Sequence, residues 1–101
     1  MNDPAMSDVR VEHHPERSRF EARVDGQLSV ADYRLADGVL RMTHTGVPPA
    51  QRGRGIAARL VAAALEHARR EGLKVDPLCS YVRLYMRRHP ETQDLLAAPF
   101  A

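Results

Sequence analysis

Val47-Pro48-Pro49-Ala50-Gln51-Arg52-Gly53-Arg54-Gly55-Ile56-Ala57 divides the chain into two kinds of pattern. Upstream of it, apolar residues alternate with polar ones. Downstream, they recur at helical spacing. Two prolines, two glycines and two arginines sit at the change of period. Gly53 and Gly55 permit a sharp turn or the close approach of another group. A helix beginning here exposes unpaired N–H groups and the positive end of its dipole. Arg52, Arg54 and Arg59 add positive charge to that end. A bound anion such as phosphate or pyrophosphate relieves the conflict.

Downstream, Ile56, Leu60, Ala63, Ala64 and His67 or Ala68 line one helix face, leaving Arg59, Glu66, Arg69 and Arg70 outside. His67 itself is expected on the helix surface. Gly72 suits the helix C-terminus. Leu73–Leu78 reads as a short strand with Leu73, Val75 and Pro77 on alternate positions. A strand–helix–strand crossover places it parallel to the strand that precedes the glycine loop. Ser80 is expected to cap a second helix running to about His89, with Val82, Tyr85 and Met86 on one face. Residues 90–97 suggest a last helical turn or two.

Upstream, Val9–His14, Arg19–Val24, Gln27–Leu35 and Val39–Val47 read as strands. Pro15–Ser18 is a turn, and Asp25-Gly26 and Asp37-Gly38 are strong hairpin sequences. The first half is thus an antiparallel four-stranded meander. The fold class is α/β (α+β), with a long helix after the glycine loop, a parallel fifth strand and C-terminal helices.

The chain has 101 residues, which suits one domain, expected over 9–101 behind a flexible tail at 1–8. A formal charge of +2 is too small for a nucleic-acid footprint, so nucleic acid is not expected as a partner. An RNA-binding reading of Arg52-Gly53-Arg54-Gly55 is weakened further by the few aromatics available for stacking. No apolar run approaches the roughly 20 residues of a membrane span. The single cysteine rules out an internal disulfide and favours a cytoplasmic setting. His13, His14, His67 and His89 show no metal-ligand spacing with carboxylates or cysteine, so no metal is expected.

This order of elements resembles the core of the GCN5-related N-acetyltransferase (GNAT) superfamily. Arg52-Gly53-Arg54-Gly55-Ile56-Ala57 fits that family's Arg/Gln-x-x-Gly-x-Gly/Ala acetyl-CoA motif. Leu84-Tyr85-Met86-Arg87-Arg88 stands where such enzymes often carry Leu-Tyr and a basic residue. His44-Thr45-Gly46-Val47-Pro48-Pro49 and Pro77-Leu78-Cys79 are similar to a small YjdJ-type GNAT-like group. The resemblance spans about Phe20 to Leu96. The helical pair that usually separates the first two strands and shapes the acceptor site is missing here.

The resemblance implies a minimal GNAT fold with acetyl-CoA in a wedge between the Val39–Val47 and Leu73–Leu78 strands. Thr45, Val47, Gln51, Arg52, Gly53, Arg54, Gly55, Ile56 and Ala57 would hold it. The loop amides would take the pyrophosphate, with glycines there because a Cβ would block close approach. Pro48 and Pro49 would end strand pairing and open the wedge. Acetyl transfer needs a neutral amine, a donor to the carbonyl oxygen and a proton for the leaving thiolate. A backbone N–H near Val47 suits the carbonyl. His44 suits the base. Tyr85 or Cys79 suits the acid, and Cys79 is alternatively a nucleophile or a small core residue. The implied function is acetyl transfer to an unidentified amine, small molecule or protein, by a monomer or weak homodimer. The alternative is a non-catalytic CoA-binding module or regulatory partner.

Overall fold

One five-stranded sheet runs in chain order through a computed structural model that describes residues 9–101. The tail expected at residues 1–8 lies outside the described residues. β1 (Val11–His14), β2 (Arg19–Val24), β3 (Gln27–Ala36) and β4 (Val39–Gly46) pair antiparallel, and β5 (Lys74–Pro77) joins β4 in parallel. α1 (Ile56–Glu71) and α2 (Ser80–Arg88) follow β4 and β5. Short 3-10 turns occupy Pro15–Arg17, Pro49–Gln51 and Pro90–Leu95. The α/β meander with its parallel fifth strand is the architecture expected from the sequence.

The hairpins form because their turn residues tolerate positive φ. Asp25 and Gly26 lie at φ 51° and 74°, and Asp37 and Gly38 at 53° and 74°. Two successive left-handed residues make the turn whose twist matches the flanking strands. At the end of α1, Gly72 takes φ 68°, and the Leu73 N–H reaches back to the Ala68 carbonyl at 2.8 Å. The Lys74 N–H then donates to the Gly38 carbonyl at 2.9 Å and docks β5 beside β4.

Alternation sends Phe20, Ala22, Ala31, Tyr33, Leu40 and Met42 to one sheet face, all buried. α1 lays Ile56, Leu60, Val61, Ala64, Leu65 and Ala68 against them, and α2 adds Val82 and Met86. The opposite face carries Arg19, Glu21, Arg23, Asp32 and Arg41, and among the described residues no helix covers it. Its one buried carboxylate, Glu21, receives Arg17 Nη1 at 3.1 Å. The four-residue turn Pro15–Ser18 joins β1 directly to β2.

Three expectations need correction. His67 is not a plain surface residue. It sits half-buried at the margin of the apolar stripe, 4.4 Å ring-to-ring from His13 and 5.8 Å from Phe20. Ser80 does not cap α2. Cys79 stands at the N-cap, held extended at φ −71°, ψ 131° while its N–H donates to the Met42 carbonyl at 2.9 Å. The helix therefore starts one residue earlier, at Ser80. Pro48 and Pro49 do not part the strands either. The β4–β5 ladder already ends at Met42–Pro77, where the Leu78 N–H folds back to the Asp76 carbonyl at 3.0 Å. The two prolines instead shape the 3-10 turn leading into the glycine loop, with the Gln51 N–H donating to the Pro48 carbonyl at 2.8 Å.

Candidate functional site

Beyond Met42 no residue of β4 has a β5 partner, so Thr43–Gly46 border an opening in the sheet. The β3–β4 register shifts between Asp32 and Tyr33, skipping Thr43 on β4. A bulge of this kind bends the strand and re-aims its side chains. The start of α1 and the start of α2 both converge on this opening.

At the start of α1, Gly53 and Gly55 each adopt φ 80°, and Gly55 is the N-cap. A Cβ added at Gly53 meets no atom within 4 Å. The protein itself thus demands glycine at this position for its conformation, and the space beside it is open. The first turn of α1 contains no acid. Two of the arginines are engaged within the protein. Arg52 Nε donates to the Val47 carbonyl at 3.3 Å. Arg54 Nη1 donates to Asp25 Oδ2 at 3.0 Å and to Oε1 of buried Gln51 at 2.7 Å. These contacts fix the loop between β4 and the β2–β3 hairpin.

A cavity of about 270 Å³ opens beside the loop, lined by Val47, Gln51, Arg52, Gly53, Gly55, Ile56, Ala57, Ala58 and Tyr81. Seven of the nine residues expected to hold a cofactor therefore share one cavity. Thr45 and Arg54 do not line it. Thr45 instead meets Cys79, whose thiol donates to Oγ1 at 3.6 Å across the strand opening. Burial pushes the Cys79 thiol up. The Val82 amide, the Thr45 hydroxyl, and the amides of Tyr81 and Thr45 outweigh burial and bring it below its ordinary value. Cys79 is thus half-buried with a thiol that ionises more readily than an ordinary cysteine, which a purely apolar core position would not give.

His44 and Thr45 are neighbours on an extended strand, so their side chains leave opposite faces of the sheet. His44 is exposed on the bare face, opposite Asp32 in register, and Asp32 is held by Arg19 Nε at 2.9 Å. Gly46 leaves room for the imidazole, since a Cβ there would lie 2.9 Å from His44 Nε2. Sequence reasoning did not single out Gly46, although its place two residues along the strand from His44 puts it under the same face.

Tyr85 is not gathered with these groups. It lines a separate cavity of about 230 Å³ between α1, α2 and the last 3-10 turn, with Leu65, Glu66, Arg69 and Glu91. Its ring stacks on His89 at 4.0 Å, and burial together with Glu91 pushes its phenol up. Tyr81, one helical turn earlier, faces the glycine-loop cavity instead. The available signal was the i, i+4 tyrosine pair on a helix whose start borders the opening.

A family model described as GCN5-related N-acetyl-transferase matches residues 19–95. Protein NATD1 from Mus musculus is 38% identical over 91 residues, covering 86% of this chain and 82% of that protein. Protein NATD1 from Homo sapiens is also 38% identical, covering 86% of this chain and 80% of its own length. The solution structure of a GCN5-like protein from Staphylococcus aureus superposes with a TM-score of 0.73 at 26% identity, covering 94% of this chain and 93% of that one.

Proposed function

The chain belongs to the GCN5-related N-acetyltransferase family, and from that premise we propose that it moves an acetyl group from acetyl-CoA to an amine. The observation that carries this reading is the pair of left-handed glycines at an acid-free helix start, opening onto a cavity beside the split in the sheet. Backbone N–H groups aimed from such a start suit a pyrophosphate. Bound there, acetyl-CoA supplies an acetyl thioester.

The residues around it then divide the work. Amides from Gly53 to Ala57 hold the phosphates, since the Arg52 N–H is already donated to the Pro49 carbonyl. The unpaired edge of β4 at Thr43–Gly46 offers main-chain partners to an extended ligand arm, as a sheet edge does to a peptide. The amide of Val47 donates to the carbonyl oxygen as charge develops on it. His44 takes the proton that the attacking nitrogen releases, reaching the acceptor from the bare face. Cys79 serves in one of two ways. As acid, it gives its proton to the departing CoA sulfur. As nucleophile, it takes the acetyl group on Sγ, releases CoA, and passes the group to the amine. A route through the Tyr85 phenol requires that ring to leave its stack on His89.

Calorimetric titration with acetyl-CoA tests the site: one-site binding is expected, and it is lost in Gly55→Val. Unchanged affinity in that variant overturns the assignment. Incubation with acetyl-CoA and intact-mass measurement then separates the two roles of Cys79. The nucleophilic route requires an added acetyl group that Cys79→Ser removes. The bare sheet face supports a second reading, a module that binds acetyl-CoA without efficient transfer. Binding without CoA release in a broad amine screen would favour it.

A further inference from the structure

The uncovered sheet face carries both signs of charge, but the two signs are not equally satisfied. Glu21 is held by Arg17 Nη1 at 3.1 Å and lies 3.7 Å from Arg19 Nη1. Asp32 is held by Arg19 Nε at 2.9 Å, and Glu12 lies 3.3 Å from His14 Nε2. Arg10, Arg23, Arg34 and Arg41 are exposed, and among the described residues none of their guanidinium groups has a hydrogen-bond or ion-pair partner. They fall in two like-charged pairs. Arg34 and Arg41 stand directly opposite each other across β3 and β4. Asp76 is beside Arg41 in register on β5, yet no ion pair joins them. Arg10 and Arg23 line one hollow of about 270 Å³ with Glu12, Glu21 and Leu28. Like charges directly opposite each other destabilise a sheet, and an anion between them removes the penalty.

The spacing of the pairs selects the kind of anion. From Leu28, the register partner of Arg23, to Arg34 the chain advances six residues along β3, so the pairs lie roughly 20 Å apart. His44, opposite Asp32, falls between them. No small acceptor reaches both ends, whereas an extended polypeptide of about seven residues does. Leu28 and Val30, both half-buried, offer it apolar contact between the cations. A nucleic acid finds no stacking surface here: Phe20 and Tyr33 are buried on the opposite face, and Tyr81 and Tyr85 belong to α2. We propose that this face docks an acidic polypeptide segment whose acceptor amine lies at His44, with carboxylates on both sides of it, one set on Arg34 and Arg41 and the other on Arg10 and Arg23. The placement of the amine rests on the reading of His44 as the base in acetyl transfer; the docking of the acidic segment does not.

The test measures peptide binding to the full chain by fluorescence anisotropy at low ionic strength. Each labelled peptide has a central lysine flanked on both sides by either glutamates or glutamines. The four arginines are exposed and unpartnered, so glutamine replacements keep the fold, as circular dichroism melts check. Wild type is expected to bind the glutamate peptide about tenfold more tightly, the scale of a few surface ion pairs, and added salt should erase the difference. Arg34→Gln with Arg41→Gln, or Arg10→Gln with Arg23→Gln, should cut the preference to about threefold, and all four together to within about twofold. Equal wild-type affinities, or a preference that survives all four substitutions, overturn the proposal. A single-stranded oligonucleotide that binds more tightly than the glutamate peptide also overturns it and gives the face to nucleic acid. Acetylation of the lysine, read by mass spectrometry, should follow the same order; equal kcat/KM for the two peptides overturns the placement of the amine. The expected peptide preference in a chain that does not bind acetyl-CoA upholds the docking surface and overturns the acetyl-transfer reading.

Discussion

Substituting Gly53 separates backbone conformation from ligand space, because the protein makes only one of these demands. Gly53 sits at φ 80°, and an added Cβ meets nothing within 4 Å. Gly53→Ala therefore creates no clash, and its cost is the left-handed conformation alone, roughly 1–2 kcal/mol. In a domain of this size each kcal/mol lowers the melting temperature by about 4–8 °C. Asparagine tolerates the same region, so Gly53→Asn should recover roughly half of the loss. Binding should behave differently. Gly53 lines the loop cavity, and any Cβ there adds bulk where phosphate is expected. Alanine and asparagine should therefore weaken acetyl-CoA binding alike, even though asparagine restores stability. Thermal melts by circular dichroism and calorimetry on the same samples read both quantities. An alanine variant as stable as wild type refutes the conformational argument. Wild-type affinity in both variants refutes the placement of phosphate at this loop.

Gly46→Ala should displace the His44 imidazole, since the new Cβ would lie 2.9 Å from Nε2. We expect turnover to fall about tenfold, the low end for a displaced general base, with the acetyl-CoA KM unchanged; unaltered turnover argues against His44 as base. Alkylation of Cys79 should show a midpoint below the ordinary thiol value of 9.0, and Thr45→Val should raise it by removing the hydroxyl. A midpoint insensitive to Thr45 would contradict that pairing. His13, half-buried beside His67, has its pKa held below the ordinary 6.5, so the fold favours its neutral form. Its contribution is full above pH 6.5 and falls as the pH drops through the folded pKa, because there the unfolded chain binds the extra proton. Urea melts from pH 7 downward should show that slope, and His13→Phe should flatten it. Tyr85→Phe should retain most activity, since the phenol lines a cavity away from the glycine loop; a loss near that of Cys79→Ser would restore Tyr85 as the acid.

Local chemistry made much of this fold readable. Asp25-Gly26 and Asp37-Gly38 demand two left-handed residues, which fixes both hairpins and hence the alternation of Phe20, Ala22, Ala31 and Met42. Gly53, Gly55 and Gly72 bracket α1 for the same backbone reason. What escaped the sequence depends on contacts between distant segments. The Cys79 N–H is claimed by Met42, and this displaces the expected Ser80 cap. Strand separation is set where β5 turns back at Leu78, a feature invisible in the Pro48-Pro49 pair. The bulge at Thr43 has no sequence marker, yet it decides where His44 points. Tyr81 and Tyr85 share one helical face pattern, and only the packing of α2 beside α1 assigns them to different cavities.

The Arg54–Asp25 contact bears on how a ligand is received. The Asp25 carboxylate already sits on the Arg54 guanidinium, carried by a hairpin turn in which Asp25 lies at φ 51°. A phosphate reaching for Arg54 would exchange one anion for another rather than neutralise a bare cation. The gain from such an exchange is a difference between two similar attractions, so added salt, which screens both, should change it little. The loop's three arginines thus overstate its appetite for anions: selectivity would lie in the shape the backbone presents, with much of the charge satisfied before any guest arrives.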